Sequence, residues 1–226
     1  MSFSIDTWMQ EYQKAVESHF GDRIWFIGLQ GSYGRGEATE QSDIDVVLIL
    51  DEISAQDLQI YSNLLDVLPE REKVCGFVSG KEELLAWEPS DLFQFYYDTT
   101  PVMGSLDILL EHIQREDIRR AIRIGACNAY HMCVHNLVHE KSGDILKGLY
   151  KSAAFTLQAI AFFQTGTYVK QKTALKSQLR PEDKNILETG MELKRKDTVS
   201  NEELDDFSAL LIRWASEWIR RCREDT

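Results

Sequence analysis

Two short segments between positions 31 and 45 contain residue types that can bind phosphate and metal. The first is Gly-Ser-Tyr-Gly-Arg-Gly at positions 31–36, whose glycines permit a tight backbone path that can turn N–H groups toward phosphate oxygens. The second is Asp43-Ile44-Asp45, and ten residues separate Ser32 from Asp43. A glycine-rich turn or a solvated strand end would account for either segment alone, but the two at this spacing favour a phosphate and metal site.

The two aspartates are expected to act as a pair. Residues two apart in a strand point to the same face, so Asp43 and Asp45 should project from one side of an apolar run. Two such carboxylates repel each other unless a cation neutralises them. Magnesium takes hard oxygen ligands from carboxylates together with substrate phosphates, and two ions can stabilise both the attacking and the leaving oxygens of a displacement. We therefore predict that Asp43 and Asp45 are catalytic and hold two magnesium ions.

The elements that would position these residues predict an α+β fold. Apolar residues recurring at three and four predict helices over Ile5–Phe20 and Ala55–Leu68. Short apolar runs, rich in β-branched residues, predict strands over Ile24–Leu29, Ile44–Leu50 and Glu72–Val78. The order helix, strand, strand, helix, strand predicts a mixed sheet flanked by helices.

The second half of the chain has helical periodicity and almost no strand signal. The long helical stretches are Arg115–His139, Asp144–Gln164, Pro181–Lys194 and Glu202–Arg223. They predict a helical bundle over 113–226, preceded by the sheet domain over 1–112. No low-complexity linker separates the two domains, so we expect them to share an extensive face.

Composition limits the kinds of partner and compartment. With 226 residues, of which 43% are apolar, the chain can bury one large core or two small ones. A net charge of −12 disfavours binding to long nucleic acid and suits a small cationic acceptor, although acidity can also serve solubility alone. No apolar run reaches the roughly 18 residues of a membrane span, so we expect no membrane partner.

The N-terminus and the cysteines indicate a cytoplasmic protein. The first residues lack the basic start and apolar middle of a signal peptide. The four cysteines contain no CxxC pair and no regular framework. We therefore predict reduced thiols, with neither disulfides nor a zinc site.

The spacing of Gly31-Ser32, ten residues, then Asp43-x-Asp45 resembles the signature of the polymerase β-type nucleotidyltransferase superfamily. The resemblance implies that Gly31 and Ser32 bind the β and γ phosphates of a nucleoside triphosphate and that Asp43 and Asp45 ligate magnesium. It further implies that Arg35 assists at a phosphate, although Arg35 could equally be a surface residue. The implied reaction transfers AMP from ATP, as co-substrate, to a hydroxyl group and releases pyrophosphate.

Members of this superfamily usually carry a third carboxylate on the next strand. It can act as general base on the acceptor hydroxyl or complete the metal site. Glu72 is the candidate here, with Glu70 and Asp107 as alternatives. Glu72 could instead only flank its strand.

Two longer stretches are similar to the streptomycin and spectinomycin adenylyltransferases, the aminoglycoside-modifying branch of the superfamily. They span positions 72–97, with a small gap, and 157–181. The second stretch implies that Lys172, or Lys170, reaches the triphosphate across a cleft between the domains. The chain departs from these enzymes after Lys172, where Thr-Ala-Leu-Lys176 lacks the acidic and tryptophan residues that would help hold an aminoglycoside.

Three functions therefore stay open at the level of the sequence. The first is transfer of a nucleotide to a small, cationic acceptor such as an aminoglycoside, which the fused helical half favours. The second is modification of a protein partner, as in small nucleotidyltransferases whose helical partner is a separate chain. The third is a non-catalytic nucleotide-binding regulatory module, which intact Asp43 and Asp45 disfavour.

Overall fold

The computed structural model describes residues 3–224 of the chain. These residues form two compact units, divided between His112 and Ile113. The first unit is a mixed sheet flanked by helices and the second is helical, which confirms the predicted α+β class.

The first unit contains a one-turn helix at the glycine-rich segment and a strand that carries Asp45. Within residues 3–112 the helices are α1 (Ile5–Phe20), α2 (Gly31–Gly34), α3 (Ala55–Leu65), α4 (Lys81–Leu85) and α5 (Pro89–Asp98). The strands of this unit are β1 (Ile24–Leu29), β2 (Ile44–Leu50), β3 (Val74–Gly80) and β4 (Thr100–Met103). Short 3₁₀ segments occupy Gly21–Arg23, Arg71–Lys73 and Asp107–His112.

The sheet has the order β3-β2-β1-β4. Strand β1 runs antiparallel to both β2 and β4, whereas β2 and β3 are parallel. In this register Asp45 lies opposite Cys75 of β3. On its other side, the backbone N–H of Gln30 donates to the carbonyl of Asp45 at 2.7 Å. Asp45 therefore lies near the start of an interior strand, whose neighbours are β1 and β3.

Successive side chains of β2 point to opposite faces of the sheet. Ile44, Val46, Leu48 and Leu50 are buried in a core formed with α1 and α3. Asp45 belongs to the alternate set and points to the opposite face. Burial of the apolar set fixes the register of β2, since a slip of one residue would turn Asp45 into the core.

Strand β4 was not predicted from the sequence. It has four residues and contains Pro101, and proline within a run argues against a central strand because it donates no ladder hydrogen bond. Within residues 3–112, β4 pairs only with β1 and forms an edge of the sheet. Proline is tolerated at an edge, so the sequence signal was misleading at this position.

The third strand begins later than predicted. Glu70 has a left-handed backbone (φ 59°) and starts the 3₁₀ turn Arg71–Lys73. Strand β3 begins only at Val74. Glu72 therefore lies on a turn before the strand. The preceding helix α3 also ends earlier than predicted, at Leu65.

The second unit agrees with the predicted helical bundle. Its helices are α6 (Arg115–His135), continued by a π turn over Asn136–Glu140, α7 (Gly143–Thr165), α8 (Lys172–Leu175), α9 (Pro181–Leu193) and α10 (Asn201–Glu224). Helix α6 packs against α7 and α10, and α9 packs against the same two helices. The short helix α8 was not predicted. Among residues 3–224 no helix is both long and apolar enough to cross a membrane.

A buried carboxylate connects two helices of the second unit. Asp183, in the first turn of α9, is 1% exposed. Its Oδ1 accepts hydrogen bonds from Nε1 of Trp214 at 2.8 Å and of Trp218 at 2.7 Å, both on α10. Burial raises the pKa of Asp183 above its ordinary value, and the two indole bonds oppose that shift.

Candidate active site

The glycine-rich segment folds as the turn that follows β1. The N–H groups of Gly34 and Arg35 donate to the carbonyls of Gln30 and Gly31 at 3.0 and 3.2 Å, which closes the single turn of α2. Gly31 begins this turn with φ +64°, a left-handed conformation that favours glycine. Ser32 follows directly and is half-buried.

Gly31 is also required by its contact with Asp45. A Cβ atom built on Gly31 would lie 1.8 Å from Oδ2 of Asp45 and 2.7 Å from its Cγ. The carboxylate therefore lies directly against the backbone of the turn, in space that any other residue at position 31 would fill. The structure thus brings the two sequence segments into contact.

The two aspartates differ in exposure. Asp45 is half-buried on β2, whereas Asp43 is exposed and immediately precedes the strand. Strand alternation places Asp45 on the face opposite the core formed with α1 and α3. The structure brings Gly31 and Asp45 together at the start of β2, and a single site that also includes Ser32 and Asp43 stays a prediction.

The predicted third carboxylate lies on the turn before β3. Glu72 is exposed there, and β3 itself, Val-Cys-Gly-Phe-Val-Ser-Gly, contains no carboxylate. Within residues 3–224, no three His, Cys, Asp or Glu side chains are grouped so that they could hold a metal. The role of Glu72 stays a prediction.

The two alternatives to Glu72 are engaged elsewhere in the first unit. Glu70 forms an ion pair with Lys73 at 2.6 Å. Asp107 accepts a hydrogen bond from the hydroxyl of Tyr96 at 3.0 Å. These contacts tie both carboxylates to neighbouring side chains.

Cys75 is a neighbour of Asp45 in the sheet that sequence reasoning missed. It is exposed and carries a free thiol. As the parallel partner of Asp45, it lies beside that residue on the same face of the sheet. The next residue, Gly76, has φ +141°, and a Cβ there would lie 1.9 Å from the carbonyl oxygen of Val46. Only the register between β2 and β3 places Cys75 beside Asp45, and a local sequence pattern does not reveal that register.

Arg35 is a buried residue of the loop, so the alternative of a surface position is wrong. Its side chain is 7% exposed. Nη1 lies 2.9 and 3.2 Å from the two carboxylate oxygens of Asp98, and Nε lies 3.4 Å from Oε2 of Glu37. The predicted contact of Arg35 with a phosphate stays a prediction, but its carboxylate partners give it an anchoring role.

Lys172 belongs to the second unit, where it begins α8. The segment before it is fixed by Gln158, which is 1% exposed on α7. Nε2 of Gln158 donates to the carbonyls of Val169 and Lys170 at 3.0 Å each. The backbone leading to Lys172 is therefore held by a buried side chain.

Comparison with known proteins gives one family match and two partial relatives. Residues 9–99 match the model of the nucleotidyltransferase domain. The chain is 34% identical over 68 residues to a candidate protein adenylyltransferase of Methanocaldococcus jannaschii, a match that covers 30% of this chain and 63% of the relative. A second candidate protein adenylyltransferase of the same organism is 44% identical over 43 residues, or 19% of this chain and 43% of that protein. The chain thus spans less than two thirds of either relative.

A solved structure resembles the whole fold. Spectinomycin adenyltransferase AAD(9) from Enterococcus faecialis, solved with ATP and spectinomycin, matches with a TM-score of 0.59. The match covers 96% of this chain and 100% of that one, at 12% sequence identity. At this identity the likeness concerns the fold, which includes both the sheet unit and the helical unit.

Proposed function

We propose that the chain transfers AMP from ATP to a hydroxyl group of a small, cationic acceptor such as an aminoglycoside, starting from the match of residues 9–99 to the model of the nucleotidyltransferase domain. The observation that carries the proposal is the contact between Asp45 and Gly31. It joins a carboxylate to the turn whose backbone is suited to phosphate. A triphosphate on this turn would lie beside the aspartates.

The donor set at the start of β2 fits magnesium. Asp43 and Asp45 would contribute carboxylate oxygens, and Asp43 is exposed, as expected for a metal that completes its shell with water and substrate phosphates. When bound, two magnesium ions would neutralise the charge of the phosphates during transfer. Gly31, Ser32 and Lys172 hold the triphosphate in this proposal.

The reaction is an in-line displacement at the α-phosphorus. The acceptor oxygen forms a bond to phosphorus, the bond from phosphorus to the bridging oxygen breaks, and pyrophosphate leaves. The hydroxyl proton passes to the carboxylate of Glu72, the proposed general base. The main contribution of the chain is to position the reactants and to oppose developing charge.

A small acceptor is favoured by two observations. The chain carries a helical unit fused to the nucleotidyltransferase domain, as does the fold of the spectinomycin enzyme. The net charge of −12 attracts a cationic molecule and repels polyanions.

Modification of a protein is the second candidate. It is favoured by the names of the two archaeal relatives. Both matches are short segments of the chain, whereas the likeness to the spectinomycin enzyme spans both units. A protein acceptor would be revealed by transfer of labelled AMP to a macromolecule in place of a small acceptor.

The proposal is tested by pyrophosphate release from ATP, GTP, CTP and UTP with magnesium. The acceptor panel contains aminoglycosides, spectinomycin, lincosamides and nucleosides. The double variant Asp43→Asn/Asp45→Asn is the blank, and Asp66→Asn, an exposed carboxylate paired with Arg71 on the surface, is the matched control. We expect release that needs ATP and one acceptor, vanishes in the blank and persists in the control.

The opposite result has a clear meaning. Release that survives in the double variant would remove both aspartates from the chemistry. If nothing turns over but ATP with magnesium raises the melting temperature, the non-catalytic nucleotide-binding alternative is favoured, and no rise at all would contradict both readings. Asp45→Asn alone should leave the melting temperature unchanged or raised, because it relieves carboxylate repulsion.

A further inference from the structure

The segment Asp98-Thr99-Thr100, where α5 ends and β4 begins, contacts the glycine-rich turn at several points. Asp98 binds Arg35, Thr99 binds the side chain of Gln30, and Thr100 binds the carbonyl of Gly34. We call these three residues, 98–100, the clamp. Its partners are Gln30 before the turn, Gly34 at the end of α2 and Arg35 directly after it.

The strongest contact of the clamp is a buried ion pair. Both oxygens of Asp98 lie within 3.2 Å of Nη1 of Arg35, and the two side chains are 10% and 7% exposed. A buried guanidinium is costly unless its donors are paired, so it tends to stay with its carboxylate. This pair therefore fixes the end of the turn to the end of α5.

The second contact connects the clamp to Asp45. Nε2 of Gln30 donates to Oγ1 of Thr99 at 2.7 Å, and Thr99 is 3% exposed. The Thr99 hydroxyl in turn donates to the carbonyl of Phe95 at 2.5 Å. Because the backbone N–H of Gln30 donates to the carbonyl of Asp45, Gln30 holds the strand that carries the aspartate and the clamp together.

The third contact holds the far side of the turn. The hydroxyl of Thr100 donates to the carbonyl of Gly34 at 3.0 Å. A Cβ on Gly34 would lie 2.6 Å from the carbonyl oxygen of Leu29, so the turn also lies close against the end of β1. The turn is thus held from β1 and from the clamp.

We propose that Asp98, Thr99 and Thr100 are positioning residues that set the glycine-rich turn in its phosphate-binding conformation before the nucleotide arrives. The inference rests on the proposed function. Taken as a whole residue, Asp98 is 7% exposed, and it acts through Arg35. A turn held in advance binds the triphosphate without the entropic cost of ordering it, so loss of the clamp weakens nucleotide binding in particular.

The chain offers a matched control for the buried pair. Asp57 is also 7% exposed and binds Arg23 at 2.7 and 3.1 Å, in the same unit but at the start of α3. Asp98→Asn and Asp57→Asn therefore each remove the charge of a buried carboxylate that pairs with an arginine, whose side chain is buried in the case of Arg35 and 42% exposed in the case of Arg23. Only Asp98→Asn affects the glycine-rich turn.

The two variants are compared with the wild type by melting temperature, by the KM values of ATP and of the acceptor, and by hydrogen exchange of the amides at 31–36. We expect Asp98→Asn to raise the KM of ATP by roughly tenfold, as loss of a charge-assisted bond predicts, with the KM of the acceptor unchanged. Exchange at 31–36 should become faster. Asp57→Asn should lower the melting temperature and change none of the other quantities.

Thr100→Val covers the case in which Asp98→Asn does not fold. Valine fits a strand and removes the hydroxyl that donates to the carbonyl of Gly34, so we expect a rise of roughly threefold in the KM of ATP. Equal behaviour of the clamp variants and Asp57→Asn would overturn the proposal. If the wild type releases no pyrophosphate with any acceptor, the proposed function fails, but exchange at 31–36 still decides whether the clamp orders the turn.

Discussion

The carboxylate of Asp45 occupies the space that a side chain at position 31 would need, since its Oδ2 lies 1.8 Å from the position of a Cβ on Gly31. Two independent features therefore require glycine at this position. One is the left-handed backbone, with φ +64°. The other is the close approach of the aspartate. Position 31 thus requires glycine both for its backbone conformation and for its contact with Asp45.

Gly31→Ala separates these two causes when it is compared with Gly36→Ala. Gly36 has a similar φ of +70°, but a Cβ there meets nothing within 4 Å. A left-handed alanine costs roughly 1–2 kcal/mol at either position, so both variants should lose similar stability from the backbone. Only Gly31→Ala displaces the carboxylate. We expect its pyrophosphate release to fall by about 100-fold or more, the scale of losing an electrostatic group at the reacting centre.

The measurement is the rate of release at saturating ATP, together with the melting temperature of each variant. Gly36→Ala should retain activity within a few-fold of the wild type. Equal activity of the two alanine variants would show that the contact between Gly31 and Asp45 has no part in the reaction.

The exposed thiol of Cys75 offers a reporter of site occupancy. Cys75 lies opposite Asp45 in the parallel register, whereas the other exposed thiol, Cys127, lies on α6 of the second unit. Magnesium and ATP bound at Asp45 should shield Cys75 from an alkylating reagent. We expect slower alkylation of Cys75 with the rate at Cys127 unchanged, read by mass spectrometry of the labelled peptides. An unchanged rate at Cys75 with saturating nucleotide would place the nucleotide elsewhere.

The sequence predicted the parts of the site that depend on local pattern. The apolar run predicted strand β2, and the spacing from the glycine-rich segment drew attention to Asp43 and Asp45. Cys75 and Asp98 were missed because their places depend on the register of β3 and on where α5 ends. These are tertiary relationships, and no periodicity in either segment contains them.

Two other differences between the predicted and the observed structure have local causes. Strand β4 was missed because Pro101 argues against a strand everywhere except at an edge. Glu72 was predicted to lie on β3 because the sequence gives no sign of the turn before it. The turn contains a left-handed residue, Glu70, and a left-handed position is recognised in a sequence when glycine occupies it. The helices of the second unit were predicted more closely, since their apolar residues recur over many turns.

Lys172 is the residue of the second unit that the proposed function requires. Lys172→Ala should raise the KM of ATP about tenfold or more, because it removes the ammonium group that is proposed to contact the triphosphate. Lys176→Ala is the control, since its ammonium pairs with Glu188 at 3.0 Å. The KM of ATP should differ between the two variants. Similar values for both would remove Lys172 from the nucleotide site.

Asp183 predicts an unusual pH dependence of stability. Burial raises its pKa in the folded state, so the protonated form is the one that folding favours. Its contribution to stability is complete below the unfolded pKa of about 3.9 and is lost as the pH rises through the folded pKa. Asp183→Asn removes this titration, and its free energy of unfolding should vary less than that of the wild type between pH 4 and 7.

Glu203 provides a control of opposite sign for the same measurement. Hydrogen bonds from Lys196 and from the backbone N–H of Ser200 lower the pKa of Glu203 to about 2. Its contribution is therefore present above the unfolded pKa of about 4.3 and is lost as the pH falls through the folded pKa. In urea titrations followed by circular dichroism, Glu203→Gln should reduce the loss of stability toward low pH, and Asp183→Asn should reduce the loss toward neutral pH. Parallel curves for the wild type and Asp183→Asn would mean that Asp183 keeps the same protonation state in the folded and unfolded chains.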